Sequence, residues 1–223
     1  MEAAVAIAAL PVAALVIWAL LRTSVGHRLV AVPSGERWRE TATPTIGGFG
    51  IFAGLAAGIA LAVASGAVEA TSELAGIAAG ASLLFVAGVI DDVRHLSPIV
   101  KLGAQFAAAG IVVASGLTVE LVGNDVLATI IALVWLVGIT NAFNLLDNMD
   151  GLAATLATIA CGYFAIAAAT DDPANQLVLV IALALGAACL GFLPFNLRPG
   201  GEAVVFMGAV ITALAILSVR RRR

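Results

Sequence analysis

Long apolar runs separated by short polar segments dominate the chain. Eight such runs are visible, at about 3–21, 45–64, 74–90, 99–117, 126–142, 152–170, 176–195 and 203–219. A transmembrane helix needs about 20 predominantly apolar residues in succession, so runs of this length favour membrane spans. The pattern predicts an all-α fold, a polytopic transmembrane helical bundle with about eight spans. We expect a single integral membrane domain over residues 1–223.

The composition agrees with a membrane protein. Of the 223 residues, 62% are hydrophobic and 11% charged, whereas soluble domains carry about a quarter charged residues. Cys161 and Cys189 lie inside apolar runs, which predicts small core residues and neither a disulfide nor a metal pair. The N-terminal run has no basic region before it and predicts a first transmembrane helix rather than a cleaved signal peptide. The lipid bilayer is the expected surrounding, and we expect no nucleic-acid partner.

Basic residues are confined to alternate connections between the predicted spans. They follow spans 1, 3 and 7: Arg22, Arg28, Arg37, Arg39, Arg94, Lys101 and Arg198. The connections after spans 2, 4 and 6 carry acidic residues and no Lys or Arg. The positive-inside rule therefore predicts a plasma-membrane protein with its N-terminus outside and its basic connections in the cytoplasm. With eight spans, the four arginines at 220–223 would lie outside, where the same rule disfavours them. Residues 209–223 are therefore an atypical end.

Polar residues recur every three positions between predicted spans 5 and 6, in "NAFNLLDNMDG". They are Asn141, Asn144, Asp147 and Asp150, followed by Gly151. On an α-helix they fan over half a circle, and on a 3₁₀ turn they stack on one face. Either arrangement predicts a one-sided ladder of oxygen atoms. Helix capping is the alternative, although a cap needs one such residue and not four.

Two adjacent carboxylates, Asp91 and Asp92, stand at the end of predicted span 3. Because like charges this close repel each other, a cation can be expected between them. Oxygen donors suit a hard cation such as Mg²⁺. The alternative is a pair of solvated loop charges. Oxygen ligands and basic residues on the cytoplasmic side together predict a phosphate-bearing, partly lipidic substrate held through a divalent metal.

Four motifs in order carry a family resemblance over residues 43–208: "TPTIGG", "GVIDDVRHLSPIVKLGAQ", "NAFNLLDNMDGLAA" and "FLPFNLRP" with "FMG". The chain resembles the polyprenyl-phosphate N-acetylhexosamine-1-phosphate transferases, glycosyltransferase family 4. It is more similar to the N-acetylglucosamine-1-phosphate branch than to the phospho-N-acetylmuramoyl-pentapeptide transferases of peptidoglycan synthesis. The resemblance implies sugar-1-phosphate transfer from a UDP-N-acetylhexosamine to polyprenyl phosphate with release of UMP. It also implies a Mg²⁺ or Mn²⁺ cofactor, a role in cell-wall or surface polysaccharide synthesis, and a homodimer.

The resemblance also implies roles for individual residues. Asp91 and Asp92 would be catalytic, on the side of the lipid phosphate. Asn144 would lie at the metal. The implied substrate-binding residues are Lys101, Asn141, Asp147, Asp150 and Asn196.

The chain departs from the family pattern at Ala209. The family has an aspartate metal ligand at this position. The family sequences then continue with further spans and a histidine-rich cytoplasmic loop, and neither follows Ala209 in this sequence. One alternative is therefore a truncated, inactive homologue that binds lipid phosphate or nucleotide sugar without turnover. Ala209→Asp is expected to raise metal-dependent transfer without fully restoring it. A small transporter is a third alternative, but transport predicts ionisable residues inside the spans, which carry almost none.

Overall fold

This computed structural model describes residues 7–23, 30–31, 43–44, 46–118, 123–147, 151–170 and 175–197. These residues contain seven α-helices. They are α1 (Ala9–Leu21), α2 (Gly47–Ala64), α3 (Ser72–Arg94), α4 (Pro98–Ala114), α5 (Asp125–Leu146), α6 (Leu152–Thr170) and α7 (Gln176–Asn196). Two short strands, β1 (Val30–Ala31) and β2 (Thr43–Pro44), pair antiparallel between α1 and α2. The all-α prediction is confirmed.

Five helices are long and apolar enough to cross a membrane, namely α2, α3, α5, α6 and α7. The helices α1, with 13 residues, and α4, with 17 residues, are apolar but shorter. The multi-pass helical bundle predicted from the apolar runs is therefore confirmed. The predicted eighth span, 203–219, and the atypical end, 209–223, lie outside the described residues.

Short polar side chains start the helices between the apolar runs. Before α3, α4, α5 and α7, a side-chain oxygen accepts a hydrogen bond from a backbone N–H in the first turn of the helix, at 3.0–3.4 Å. Such caps satisfy one of the N–H groups that a helix leaves unpaired at its beginning. The capping residues are Thr71, Ser97, Asn124 and Asn175.

The helices pack in two groups around a buried α7. Helices α1, α2 and α6 surround α7, whose Ile181, Leu185 and Phe192 are fully buried. Helices α3, α4 and α5 form the second group. The groups meet where the ring of Phe85 on α3 stacks against Phe52 of α2, with ring centroids 4.4 Å apart.

Small residues bring the backbones of α1, α2 and α7 close together. A Cβ atom at Gly54 of α2 would lie 2.6 Å from the carbonyl oxygen of Ala9 and 3.0 Å from the Cβ atoms of Ala13 and Ala188. Gly54 therefore marks the point where three helices cross. In lipid, where burial of apolar surface drives association weakly, such close packing holds helices together.

Gly54→Val should consequently lower the melting temperature of the detergent-solubilised protein. Overpacking costs about 1–3 kcal/mol and more where backbone must move, and here the obstacle is the α1 backbone. Gly162→Val is the matched control, because a Cβ at Gly162 of α6 meets no described residue within 4 Å. Soluble protein remaining after heating, measured by size-exclusion chromatography, should fall for the first variant only. Equal losses would contradict this packing.

Consecutive helices alternate in direction. The last turn of α3 contacts the first turn of α4 through Asp91 and Lys101, and Gly151 before α6 is hydrogen-bonded to Asn196 at the end of α7. The ends of α3, α5 and α7 and the beginnings of α4 and α6 therefore lie on one side. We call this side the motif end, because the sequence motifs between residues 91 and 196 meet there.

Candidate active site

Asp91 holds the turn between α3 and α4. Its Oδ1 accepts a hydrogen bond from the backbone N–H of Leu96 at 2.9 Å, and its Oδ2 lies 2.6 Å from Nζ of Lys101. The backbone between them bends sharply, because His95 adopts the left-handed conformation (φ 50°) and donates its N–H to the Asp91 carbonyl at 2.8 Å. Asp91 thus fixes the turn and positions the Lys101 ammonium.

Asp92 takes a different direction from its neighbour. Successive residues of an α-helix are rotated by about 100°, so the two side chains leave the helix in different directions. Residues seven apart lie on nearly the same stripe, which places Asp92 in line with Phe85, the residue that contacts α2. Asp92 is half-buried. A cation held between the two aspartates stays a prediction.

A pair of amide side chains joins α4 to α5. Nδ2 of Asn141 donates to Oε1 of Gln105 at 2.6 Å and to the Val137 carbonyl at 2.9 Å. Nε2 of Gln105 donates in return to Oδ1 of Asn141 at 3.3 Å. Gln105 is only 6% exposed. The reciprocal pair satisfies polar groups that would be costly inside an apolar bundle.

A cavity of about 60 Å³ opens between α3, α4 and α5 at the motif end. Its polar lining residues are Asp91, Lys101, Gln105, Thr140 and Asn144. Thr140 is buried, and its hydroxyl donates to the Leu136 carbonyl at 2.8 Å. A smaller cavity of about 20 Å³ lies further along the same three helices. Its lining is apolar except for Gln105 and Thr140. We call the larger cavity, at the motif end, the chamber. The smaller, mainly apolar cavity lies further from the motif end.

The connection between α5 and α6 is fastened to the end of α7. Gly151 has φ +73° and donates its N–H to Oδ1 of Asn196 at 2.7 Å. Asn196 is 3% exposed. Asp147 ends α5, and its N–H donates to the Phe143 carbonyl at 3.0 Å. Asn196 therefore ties the beginning of α6 to the end of α7.

Three of the predicted site residues line the cavity, Asp91, Lys101 and Asn144. Asn141 does not line it but bonds to Gln105, which does. Asn141 and Asn144 belong to α5, which extends beyond the predicted end of span 5 at residue 142. The first two members of the oxygen ladder are thus α-helical, and only one of them reaches the cavity.

Other predicted residues lie elsewhere at the motif end. Asp92, Asp147 and Asn196 are described by the structure and do not line this cavity. Two further predicted positions, Asp150 and Ala209, lie outside the described residues. The catalytic, metal-binding and substrate-binding roles of all these residues stay predictions.

Gln105 and Thr140 are cavity residues that the motifs did not single out. A signal for Gln105 was present, because it follows Lys101 by four residues and so shares its helix face. Thr140 directly precedes Asn141. Both are polar residues inside apolar runs, where a polar side chain suggests function.

The described residues contain no group of three His, Cys, Asp or Glu side chains that could hold a metal ion. Asn144 lines the cavity, and its side chain makes no hydrogen bond to the part of the chain that the structure describes. Mg²⁺ commonly keeps several waters and binds through one or two carboxylates plus substrate phosphates. The side-chain oxygen of Asn144 fits such an open site and not a closed protein cage.

The fold and the cavity define a multi-pass helical membrane protein with a polar site at one end. The sequence model of glycosyl transferase family 4 matches residues 74–218, which include the whole cavity. The chain belongs to glycosyl transferase family 4.

Known relatives point to two branches of this family. The chain is 31% identical over 201 residues to the "Probable undecaprenyl-phosphate N-acetylglucosaminyl 1-phosphate transferase" of Bacillus subtilis, covering 84% of this chain and 54% of the relative. It is 44% identical over 95 residues to the phospho-N-acetylmuramoyl-pentapeptide-transferase of Lacticaseibacillus paracasei, covering 41% of this chain and 28% of the relative. The chain therefore spans about half the length of the first relative. The broader match favours the N-acetylglucosaminyl branch.

Proposed function

We propose that the protein transfers N-acetylglucosamine-1-phosphate from a UDP-sugar to polyprenyl phosphate, releasing UMP, in cell-wall or surface polysaccharide synthesis. The observation that carries the proposal is the chamber of Lys101, Asp91 and Asn144 at one end of an apolar bundle. An ammonium and oxygen donors suit a phosphate, and an apolar bundle suits a lipid-bound acceptor. The family and the name of the Bacillus subtilis relative support the same acceptor.

The reaction joins two phosphates. An oxygen of polyprenyl phosphate attacks the sugar-bound phosphorus of the UDP-sugar, the bond from that phosphorus to the uridine-bearing phosphate breaks, and UMP leaves. Lys101 would neutralise phosphate oxygens, with Asp91 holding its ammonium in place. Asp92 would accept the proton of the attacking phosphate or orient it.

A bound Mg²⁺ or Mn²⁺ would neutralise charge on the pyrophosphate. Asn144 would hold it, with phosphate oxygens and water completing the coordination. At about 60 Å³, the chamber is smaller than the 300–1,000 Å³ of usual ligand pockets. It therefore has room for a reacting phosphate and not for a whole nucleotide sugar.

A transfer assay tests the proposal. Membranes that contain this 223-residue chain and lack background transferase would receive radiolabelled UDP-N-acetylglucosamine, polyprenyl phosphate and Mg²⁺. We expect label in the lipid fraction, lost with EDTA and lost in Lys101→Met. No label with a folded, inserted chain would contradict the proposal and favour an inactive homologue that only binds.

A second donor deserves the same assay, because the muramoyl-pentapeptide relatives share higher identity over a shorter stretch. Label transferred from UDP-N-acetylmuramoyl-pentapeptide and not from UDP-N-acetylglucosamine would place the protein in that branch. We expect the reverse preference, because the similarity to the N-acetylglucosaminyl relative extends over 201 residues.

We propose that the motif end faces the cytoplasm, with the N-terminus outside. Arg94 and Lys101 stand at this end, and the acidic Glu69 lies between α2 and α3 at the other. At the end of α1, the guanidinium of Arg22 lies 3.9 Å from the centre of the Trp18 ring. An Arg paired with a Trp is suited to the membrane interface, where both charge and ring find a partner. A homodimer stays a prediction.

Single cysteines test this orientation. Glu69→Cys should react with a membrane-impermeant maleimide in intact cells, whereas Arg94→Cys should react only after permeabilisation. The native Cys161 and Cys189 are buried, so the parent protein serves as the unlabelled control. The opposite labelling pattern would contradict the orientation.

A further inference from the structure

The amide group of Gln105, at the wall of the chamber, has a donor that no described residue uses. A glutamine amide carries two N–H donors. One is taken by Oδ1 of Asn141, and Nε2 makes no other hydrogen bond to the described residues. The side chain is 6% exposed and lines the chamber together with Lys101. Because an unsatisfied buried donor is costly, this position calls for a partner with an acceptor oxygen.

The orientation of this amide is determined by its neighbours. The Val137 carbonyl can only accept, so it must face Nδ2 of Asn141. That requirement leaves Oδ1 of Asn141 to accept from Gln105, and Oε1 of Gln105 to accept from Asn141. Turning the Gln105 amide over would place like atoms against each other. A further partner of the Gln105 amide at this atom therefore meets an N–H donor and must supply an acceptor.

Gln105 and Lys101 form a pair of donors on one helix face. They are four residues apart on α4, and both line the chamber. A metal cation is repelled by N–H groups, whereas a phosphate offers several acceptor oxygens to an amide and an ammonium together. We propose that Gln105 binds a phosphoryl oxygen of a substrate in this chamber, and that Asn141 is the positioning residue that holds its amide. The inference rests on the proposed function. It gives Asn141 a positioning role in place of the predicted substrate-binding role.

Steady-state kinetics of variants in lipid nanodiscs test the inference. Gln105→Met keeps the side-chain volume and removes the donor. It should raise the KM for one substrate about tenfold, the loss expected for one hydrogen bond to a charged group. A higher KM for polyprenyl phosphate assigns the lipid phosphate to Gln105, and a higher KM for the UDP-sugar assigns the sugar phosphate. Gln176→Met, at an exposed position at the beginning of α7, is the matched control.

The role of Asn141 is tested by combining variants. Asn141→Leu should raise the same KM by a smaller factor, because it frees the Gln105 amide without removing it. The double variant Asn141→Leu with Gln105→Met should be no worse than Gln105→Met alone. Fully additive losses would show that Asn141 acts independently, which would overturn its positioning role.

Direct binding separates this inference from the proposed function. Titration of the nanodisc protein with a short-chain prenyl phosphate and with UDP-N-acetylglucosamine needs no turnover. Loss of binding of either ligand in Gln105→Met supports the inference even if the chain transfers nothing. Unchanged binding and unchanged KM, or a change in melting temperature alone, would overturn it. Gln105→Glu, which places a carboxylate beside the phosphate, keeps the test decisive if Gln105→Met folds poorly.

Discussion

Asp92→Ala should lower transfer by about 100-fold or more, the range for loss of a general acid or base. Asp91 accepts from the Leu96 N–H and lies beside the Lys101 ammonium, so it holds the turn, whereas the proposed function gives the attacking phosphate to Asp92. Rates of lipid labelling measure the loss, and melting temperatures of purified variants show whether each variant still folds. Glu69→Ala, an exposed acidic residue at the other end, is the control and should change neither.

Asp91→Ala should instead lower both stability and transfer. The hydrogen bond from Leu96 to its carboxylate contributes about 1.5–3 kcal/mol. The ion pair adds at most about 1 kcal/mol, because the Lys101 side chain is 41% exposed and solvent screens it. Transfer falls because Lys101 loses the group that holds its ammonium. If Asp91→Ala abolished transfer at an unchanged melting temperature while Asp92→Ala remained active, the two roles would be reversed.

Gly151→Ala should destabilise the protein more than Gly66→Ala. Both glycines have nearly equal positive φ angles, +73° and +75°, so both variants incur the left-handed penalty of about 1–2 kcal/mol. Among the described residues, a Cβ at Gly66 meets nothing within 4 Å, whereas a Cβ at Gly151 overlaps the end of the Leu197 side chain. Because Leu197 is 62% exposed and its side chain can turn aside, this overlap adds at most about 1 kcal/mol, the low end of the range for overpacking. Melting temperatures of the two variants give the comparison.

Transfer should fall with Gly151→Ala as well, by about tenfold or more, because misplacing a positioned group by about 1 Å can cost 100-fold. Asp147, a predicted substrate-binding residue, stands four residues before Gly151 in the chain. A second change, Leu197→Ala, makes room for the new methyl group and should recover part of the lost stability. Equal melting temperatures for Gly151→Ala and Gly66→Ala, or no recovery in the double variant, would contradict this account.

The apolar helices were predictable because length and hydropathy are local properties. Helix α6 spans 152–170, the same residues as the apolar run that predicted it. Helix α5 was predicted to end near residue 142 and continues to Leu146. Hydropathy places an end where the apolar run ends, whereas the backbone hydrogen bonds continue through Asn144 to the Asp147 N–H, which donates to the Phe143 carbonyl.

The sequence by itself determined that the chain is a membrane helical bundle and which connections are basic, and it predicted which motifs bind phosphate. Only the tertiary structure decided which polar side chains meet. Lys101 pairs with one of two adjacent aspartates because the α3–α4 turn presents that one to it. Asn196 reaches Gly151, 45 residues away, because α6 and α7 pack antiparallel. Partners set by packing between helices leave no periodic signal along the chain, so they could not be derived from spacing alone.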